Sequence, residues 1–166
     1  MAHDGREIAN FVLDLCHAKG RKVSNLSLQK IVYFCHVWSL VNLNKPLIKQ
    51  QFEAWEYGPV LPYLYREFKI FDRSPIETRA TKLDPVTGGN RIVDYDFDEA
   101  TRHLVASVVD FYSRVTAGDL VELSHAKGGP WFNVWHHQTT VNPGMKIYDA
   151  DIRGFYSKIS GPFIAQ

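Results

Sequence analysis

The chain has 166 residues, of which 45% are hydrophobic, a length and composition that fit one globular domain spanning 1–166. Nineteen Lys plus Arg against eighteen Asp plus Glu leave a formal charge of +1, which excludes a global field for holding nucleic acid or an anionic membrane. Cys16 and Cys35 lie in apolar stretches, no run approaches the roughly 20 apolar residues of a membrane span, and MAHDGREIAN lacks the apolar core of a signal peptide. A reducing, cytoplasmic setting is the expectation.

From Asp4 to Ala18, the residues Ile8, Phe11, Val12 and Leu15 recur at spacings of three and four and predict a helix with one buried face, stopped by Gly20. Ser24 or Asn25 caps a second helix of roughly Leu26 to Asn42. Its Leu28, Ile31, Val32, Cys35, Trp38 and Val41 occupy so wide an arc that this helix is predicted to be central. The segment from Gln51 to Pro62 carries two prolines and a glycine within five residues and is not helical. Pro62 suits the first turn of a helix running to about Phe71.

Beyond Pro75, Val93, Tyr95 and Phe97 alternate with Asp94 and Asp96 in the period of a half-buried strand. DPVTGGN supplies the loop of a β-hairpin whose other strand is expected near Ile76 to Leu83. Helical spacing returns from Asp98 to Val115, and shorter helices are expected over Asp119–His125, Pro130–His137 and Asp151–Ile159. The predicted fold class is mainly α (α+β), a compact helical domain with a central buried helix and one inserted hairpin.

Several chemistries are weighed against plain structural roles. Cys16-His17 and Cys35-His36 have ligand types but not ligand spacing, because helix neighbours diverge by about 100°. Buried cysteines beside half-exposed histidines are expected instead, and no metal site. DYDFDE, residues 94–99, has alternate carboxylates but lacks the glycine of a calcium loop, and Val105 stands where its bidentate Glu belongs. Ser124-His125 and His136-His137 define no triad, and no phosphate-binding glycine motif is present, so catalytic residues and cofactors are predicted to be none. Lys19, Arg21 and Lys22 lie between two helices as in helix-turn-helix proteins, yet the second helix is too apolar to meet base edges. A DNA-binding regulator is therefore the alternative reading, with nucleic acid the less favoured partner.

Three segments carry a family resemblance. VSNLSLQKIVYFCHVW, residues 23–38, resembles the helix of the Panacea domain family, also called SocA-like or phage-associated proteins, which opens T-N-L-K-L-Q-K-L-L-Y-F. FEAWEYGPVLPYLY, residues 52–65, is similar to the family's E-A-W-x-Y-G-P-V-x-P-x-x-Y, and ELSHAKGGPW, residues 122–131, to its L-S-x-x-T-H-x-x-x-P-W. The resemblance spans roughly residues 6–160. His125 directly after Ser124, and an extra glycine before Pro130, depart from the pattern.

The resemblance implies a non-enzymatic antitoxin that binds a cognate toxin protein, with some relatives handing the toxin to an energy-dependent protease. Carried over, the motif or partner-binding positions are Asn25, Gln29, Lys30, Tyr33, Trp55, Tyr57, Gly58, Pro59, Pro62, Tyr65 and Trp131, with Leu28, Glu53, Val60 and Pro130 beside them. Gly58, Pro59 and Pro62 read most simply as fold determinants. An exposed cluster around Tyr57 is a candidate binding surface, because tyrosine and tryptophan bury large rigid areas while keeping a polar handle. For Gln29 and Lys30, a polar network holding the Tyr57 turn and a contact role stay equally open.

Overall fold

The computed structural model describes residues 1–137 and 143–159. Helix α1 (Gly5–Ala18) starts at an Asp4 capping box: the Asp4 side chain accepts from the Arg6 amide at 2.9 Å, and Glu7 accepts from the Asp4 amide at 3.1 Å. Helix α2 (Asn25–Trp38), capped by Ser24, buries twelve of its fourteen residues and runs on as a π-helical turn over Ser39–Leu43. The central helix expected from its wide apolar arc is thus present. Asn44, at φ +55°, ends the turn, where asparagine tolerates a left-handed backbone.

Around α2 pack α1, α4 (Glu99–Tyr112, capped by Asp98), α5 (Ala117–Ser124, capped by Thr116) and α7 (Asp149–Tyr156). Helix α3 (Pro62–Phe68) has Pro62 at its first position and continues as a 3-10 turn to Phe71, while α6 (Pro130–Trp135) also begins on proline. One apolar cluster runs from Ile8 to Tyr156, with Phe34 stacked on Tyr112 at 4.4 Å between α2 and α4. The mainly helical, α+β fold class is what the structure shows.

The strands differ in detail from the expectation. β1 (Glu53–Trp55), β2 (Gly58–Val60) and β5 (Met145–Lys146) form a small antiparallel sheet in the order β2-β1-β5, so the proline-bearing segment is itself a hairpin. A second hairpin pairs β3 (Thr81–Leu83) with β4 (Asn90–Ile92) across the predicted DPVTGGN loop. Val93–Phe97 forms no strand: the Val93 amide bonds Ala80 O at 3.0 Å, and beyond it no strand pairing is present among the described residues. Val93 and Phe97 are buried, and Tyr95 and Phe97 lie against Phe11 of α1. Alternation reports which side chains are covered, and here a helix rather than a neighbouring strand covers them.

Candidate functional site

The first two turns of α2 form a polar ladder onto the segment 59–65. Asn25 Nδ2 donates to Tyr65 O at 3.0 Å, and Gln29 Nε2 donates to Asn25 Oδ1 at 3.0 Å across one helical turn. Gln29 Oε1 accepts the Leu61 amide at 3.1 Å, and Lys30 Nζ donates to Pro59 O at 3.0 Å. All three side chains are buried, and in the buried bonds to the Leu61 amide and the Pro59 carbonyl the backbone group would otherwise be a costly unpaired polar atom. The network alternative left open by the sequence is the one the geometry displays for Gln29 and Lys30.

Between Trp55 and Gly58 the chain turns over Glu56 and Tyr57. Gly58 has φ +111°, a conformation that side chains rarely adopt, and a Cβ there would stand 2.5 Å from both Lys30 Cε and Ser124 Oγ. Beneath the turn, Trp131 Nε1 donates to Trp55 O at 2.7 Å, and the His125 ring stacks on Trp131 at 3.5 Å. Burial pushes Lys30 down to about 7 and His125 down to about 4, the latter helped by the Lys30 charge. The extra glycine of this element fits the turn before α6: the Gly129 amide bonds Ala126 O at 2.8 Å, and a Cβ at Gly129 would crowd that oxygen at 2.9 Å.

The motif positions therefore divide. Asn25, Gln29, Lys30, Tyr33, Gly58, Pro59 and Trp131 are buried, with Tyr33 packed in the core against Phe52 at 5.1 Å. Pro62 is half-buried at the start of α3. Trp55 and Tyr65 are half-buried and meet edge to face at 5.2 Å, and Tyr57 is 60% exposed. With Leu26 and Val60 these three aromatics line a cleft of about 430 Å³, whose rim carries Glu56, Asp72, Lys69 and Arg73. The rim residues Lys69, Asp72 and Arg73 in and after the 3-10 turn, and Ser124 against Gly58, were not legible in the sequence, because only folding brings them to the Tyr57 turn.

The remaining candidate groups have structural surroundings. Cys16 and Cys35 are buried thiols that burial holds largely protonated, Cys16 at about 11 and Cys35 higher still. His17 is exposed, but His36 is buried, a correction to the half-exposed expectation: its Nδ1 accepts the Ile48 amide at 3.1 Å and its Nε2 meets Asp149 Oδ1 at 2.8 Å. Since Nδ1 accepts, Nε2 carries the proton, and the ring ties α7 to α2. Asp98 Oδ1 caps α4 by accepting the Thr101 amide at 2.8 Å. Lys19 and Arg21 bond α4 at Asp110 and Ser113, and α2 has almost no free face to offer DNA. Among the described residues no group of three His, Cys, Asp or Glu is placed to hold a metal ion, and no helix is long and apolar enough to cross a membrane.

Apart from Asn25 and Leu26, the residues of the ladder and the cleft fall within residues 28–132, which a family model described as antitoxin SocA-like, Panacea domain, matches; the chain belongs to that family. It is similar to antitoxin SocA of Caulobacter vibrioides (strain NA1000 / CB15N), with 38% identity over 151 residues that cover 90% of this chain and 80% of the relative. No solved structure matches it.

Proposed function

We propose that this chain is the antitoxin of a toxin-antitoxin pair, a single non-catalytic domain that binds a cognate toxin protein and silences it. The observation carrying the reading is the exposed Tyr57 above a buried frame tied by the Gln29, Lys30 and Trp131 hydrogen bonds: Tyr57 is 60% exposed, whereas Gly58, Pro59 and Val60 beside it are buried. A rigid aromatic turn needs little ordering on contact, which favours an interface anchor. Family membership and the antitoxin relative support the same reading. The site is the cleft of Trp55, Tyr57 and Tyr65, with Asn25, Gln29, Lys30, Gly58, Pro59, Pro62 and Trp131 holding its shape and Tyr33 anchoring α2.

Co-expression with the product of the adjacent reading frame, scored for growth, tests this. Rescue by the wild type and its loss in a folded Tyr57→Ala variant are expected. No rescue by the wild type would refute the reading. A toxin half-life that shortens only when the antitoxin and an energy-dependent protease are both present in the cytoplasm would mark delivery to that protease, and an unchanged half-life would mark neutralisation by binding alone.

A further inference from the structure

The β3–β4 hairpin is bonded along its β3 edge at Thr81, while its β4 edge has no partner among the described residues. Val93 donates to Ala80 O at 3.0 Å and Asp84 to Gly89 O at 2.7 Å, with Lys82 opposite Arg91 between these pairs. In an antiparallel ladder the intervening residues turn their backbone groups outward, so Thr81 and Leu83 face away from β4, and Asn90 and Ile92 face away from β3. The β3 side is occupied at Thr81, whose amide donates to Glu67 Oε1 at 2.6 Å and whose carbonyl accepts from Arg6 at 3.3 Å. On the β4 side, no described residue bonds the backbone of Asn90 or Ile92, and both residues are exposed.

The two faces of this edge differ in chemistry. Lys82 and Arg91 sit directly opposite one another, an unfavourable like-charge pair, and neither has an ion-pair partner among the described residues. On the other face Leu83 is 66% exposed and Ile92 58%. Ile92 borders a cavity of about 980 Å³ lined also by Leu13, Val23, Pro75 and Ile76. Open donors and acceptors beside an apolar step and two uncompensated cations define what fits: an extended segment with apolar and acidic residues in alternation.

We propose that the outer edge of β4 receives such a segment of the partner protein as an added strand. Its apolar side chains lie beside Ile92 and its carboxylates beside Arg91, with Leu83 and Lys82 one strand further on the same two faces. A second copy of this chain does not suit the edge, because pairing β4 with β4 would add like charges to the Lys82 and Arg91 pair. The proposal rests on the antitoxin reading for the identity of that partner, the toxin, and the test separates the two.

Nitrogen-15 spectra of the full chain are recorded with a capped peptide of alternating glutamate and valine, and with one of alternating lysine and valine. The acidic peptide is expected to shift the Asn90 and Ile92 amides and to bind at least tenfold tighter than the basic one. In the Lys82→Glu, Arg91→Glu double variant, with its melting temperature kept, the preference reverses. No shift at Asn90 and Ile92 with either peptide, or equal affinity for both, overturns the edge. In the complex with the toxin the same amides exchange at least tenfold more slowly with solvent. A tight complex in which they exchange as in the free chain overturns the role of the edge and leaves the antitoxin reading standing. A wild-type chain that binds the acidic peptide but no toxin refutes the antitoxin reading and keeps the edge.

Discussion

Lys30 Nζ, fully buried on α2, donates to the carbonyl of Pro59 at 3.0 Å and so ties the central helix to the turn that displays Tyr57. A buried ammonium is expensive, and desolvation lowers Lys30 from its usual 10.5 to about 7. In the unfolded chain the amine keeps its proton up to about 10.4, whereas in the folded chain it gives that proton up near 7. Folding therefore releases a proton between these values, and stability rises with pH across the interval. The stability of the wild type relative to Lys30→Met should climb by about 1 kcal/mol per pH unit from pH 7 to pH 9. Urea titrations at stepped pH measure it. The buried thiols and phenols, which oppose the trend at higher pH, are common to both proteins and cancel. A flat difference would mean that Lys30 titrates as an ordinary surface lysine.

Gly58→Ala meets two obstacles at once, the positive φ and the contact with Lys30 and Ser124. We expect a loss of about 3 kcal/mol or more from strain and overpacking together. Pro62→Ala, at a half-buried helix start, should cost within about 1 kcal/mol. Thermal melts of both variants distinguish these sizes. Comparable losses would show that the helix start, not the turn, limits this region.

Tyr57→Ala removes an exposed ring and should leave folding stability within about 0.5 kcal/mol. Toxin binding should weaken by on the order of 2 kcal/mol, roughly thirtyfold. Calorimetric titration reads the affinity, and full-strength binding by a folded Tyr57→Ala variant would remove the cleft from the interface.

His125→Phe keeps the stack on Trp131 and deletes a buried Nε2 that has no hydrogen-bond partner among the described residues. Its melting temperature should match or exceed that of the wild type, since an unsatisfied polar atom is lost. Growth rescue should be retained. Loss of rescue in this folded variant would give His125 a chemical role that the non-catalytic reading denies.

His125 also contributes to the acid limb. Burial holds it at about 4 in the folded chain against its ordinary 6.5, so the unfolded chain binds the extra proton first as pH falls. Stability from this group is complete above 6.5 and declines as pH falls towards 4. The His125→Phe variant should therefore lose less stability than the wild type between pH 6.5 and pH 4. Identical acid curves would place the His125 proton equilibrium outside folding.

What the amino-acid sequence determined by itself is what local periodicity and caps encode. The apolar arc of α2, the Asp98 cap, the Pro62 and Pro130 helix starts and the DPVTGGN loop depend on residues within a few positions of one another, so a linear reading finds them. Family membership was legible for the same reason, because its motifs are contiguous runs. Only tertiary structure brought Gln29 and Lys30 to Leu61 and Pro59, since these hydrogen-bond partners lie about thirty positions away. It likewise decided that Val93–Phe97 packs on Phe11 instead of pairing as a strand. It also set Ser124 against Gly58 and left the outer β4 edge without a partner among the described residues. Burial and hydrogen-bond partnership across long sequence separations are properties of the packed chain, and no periodicity along the sequence records them.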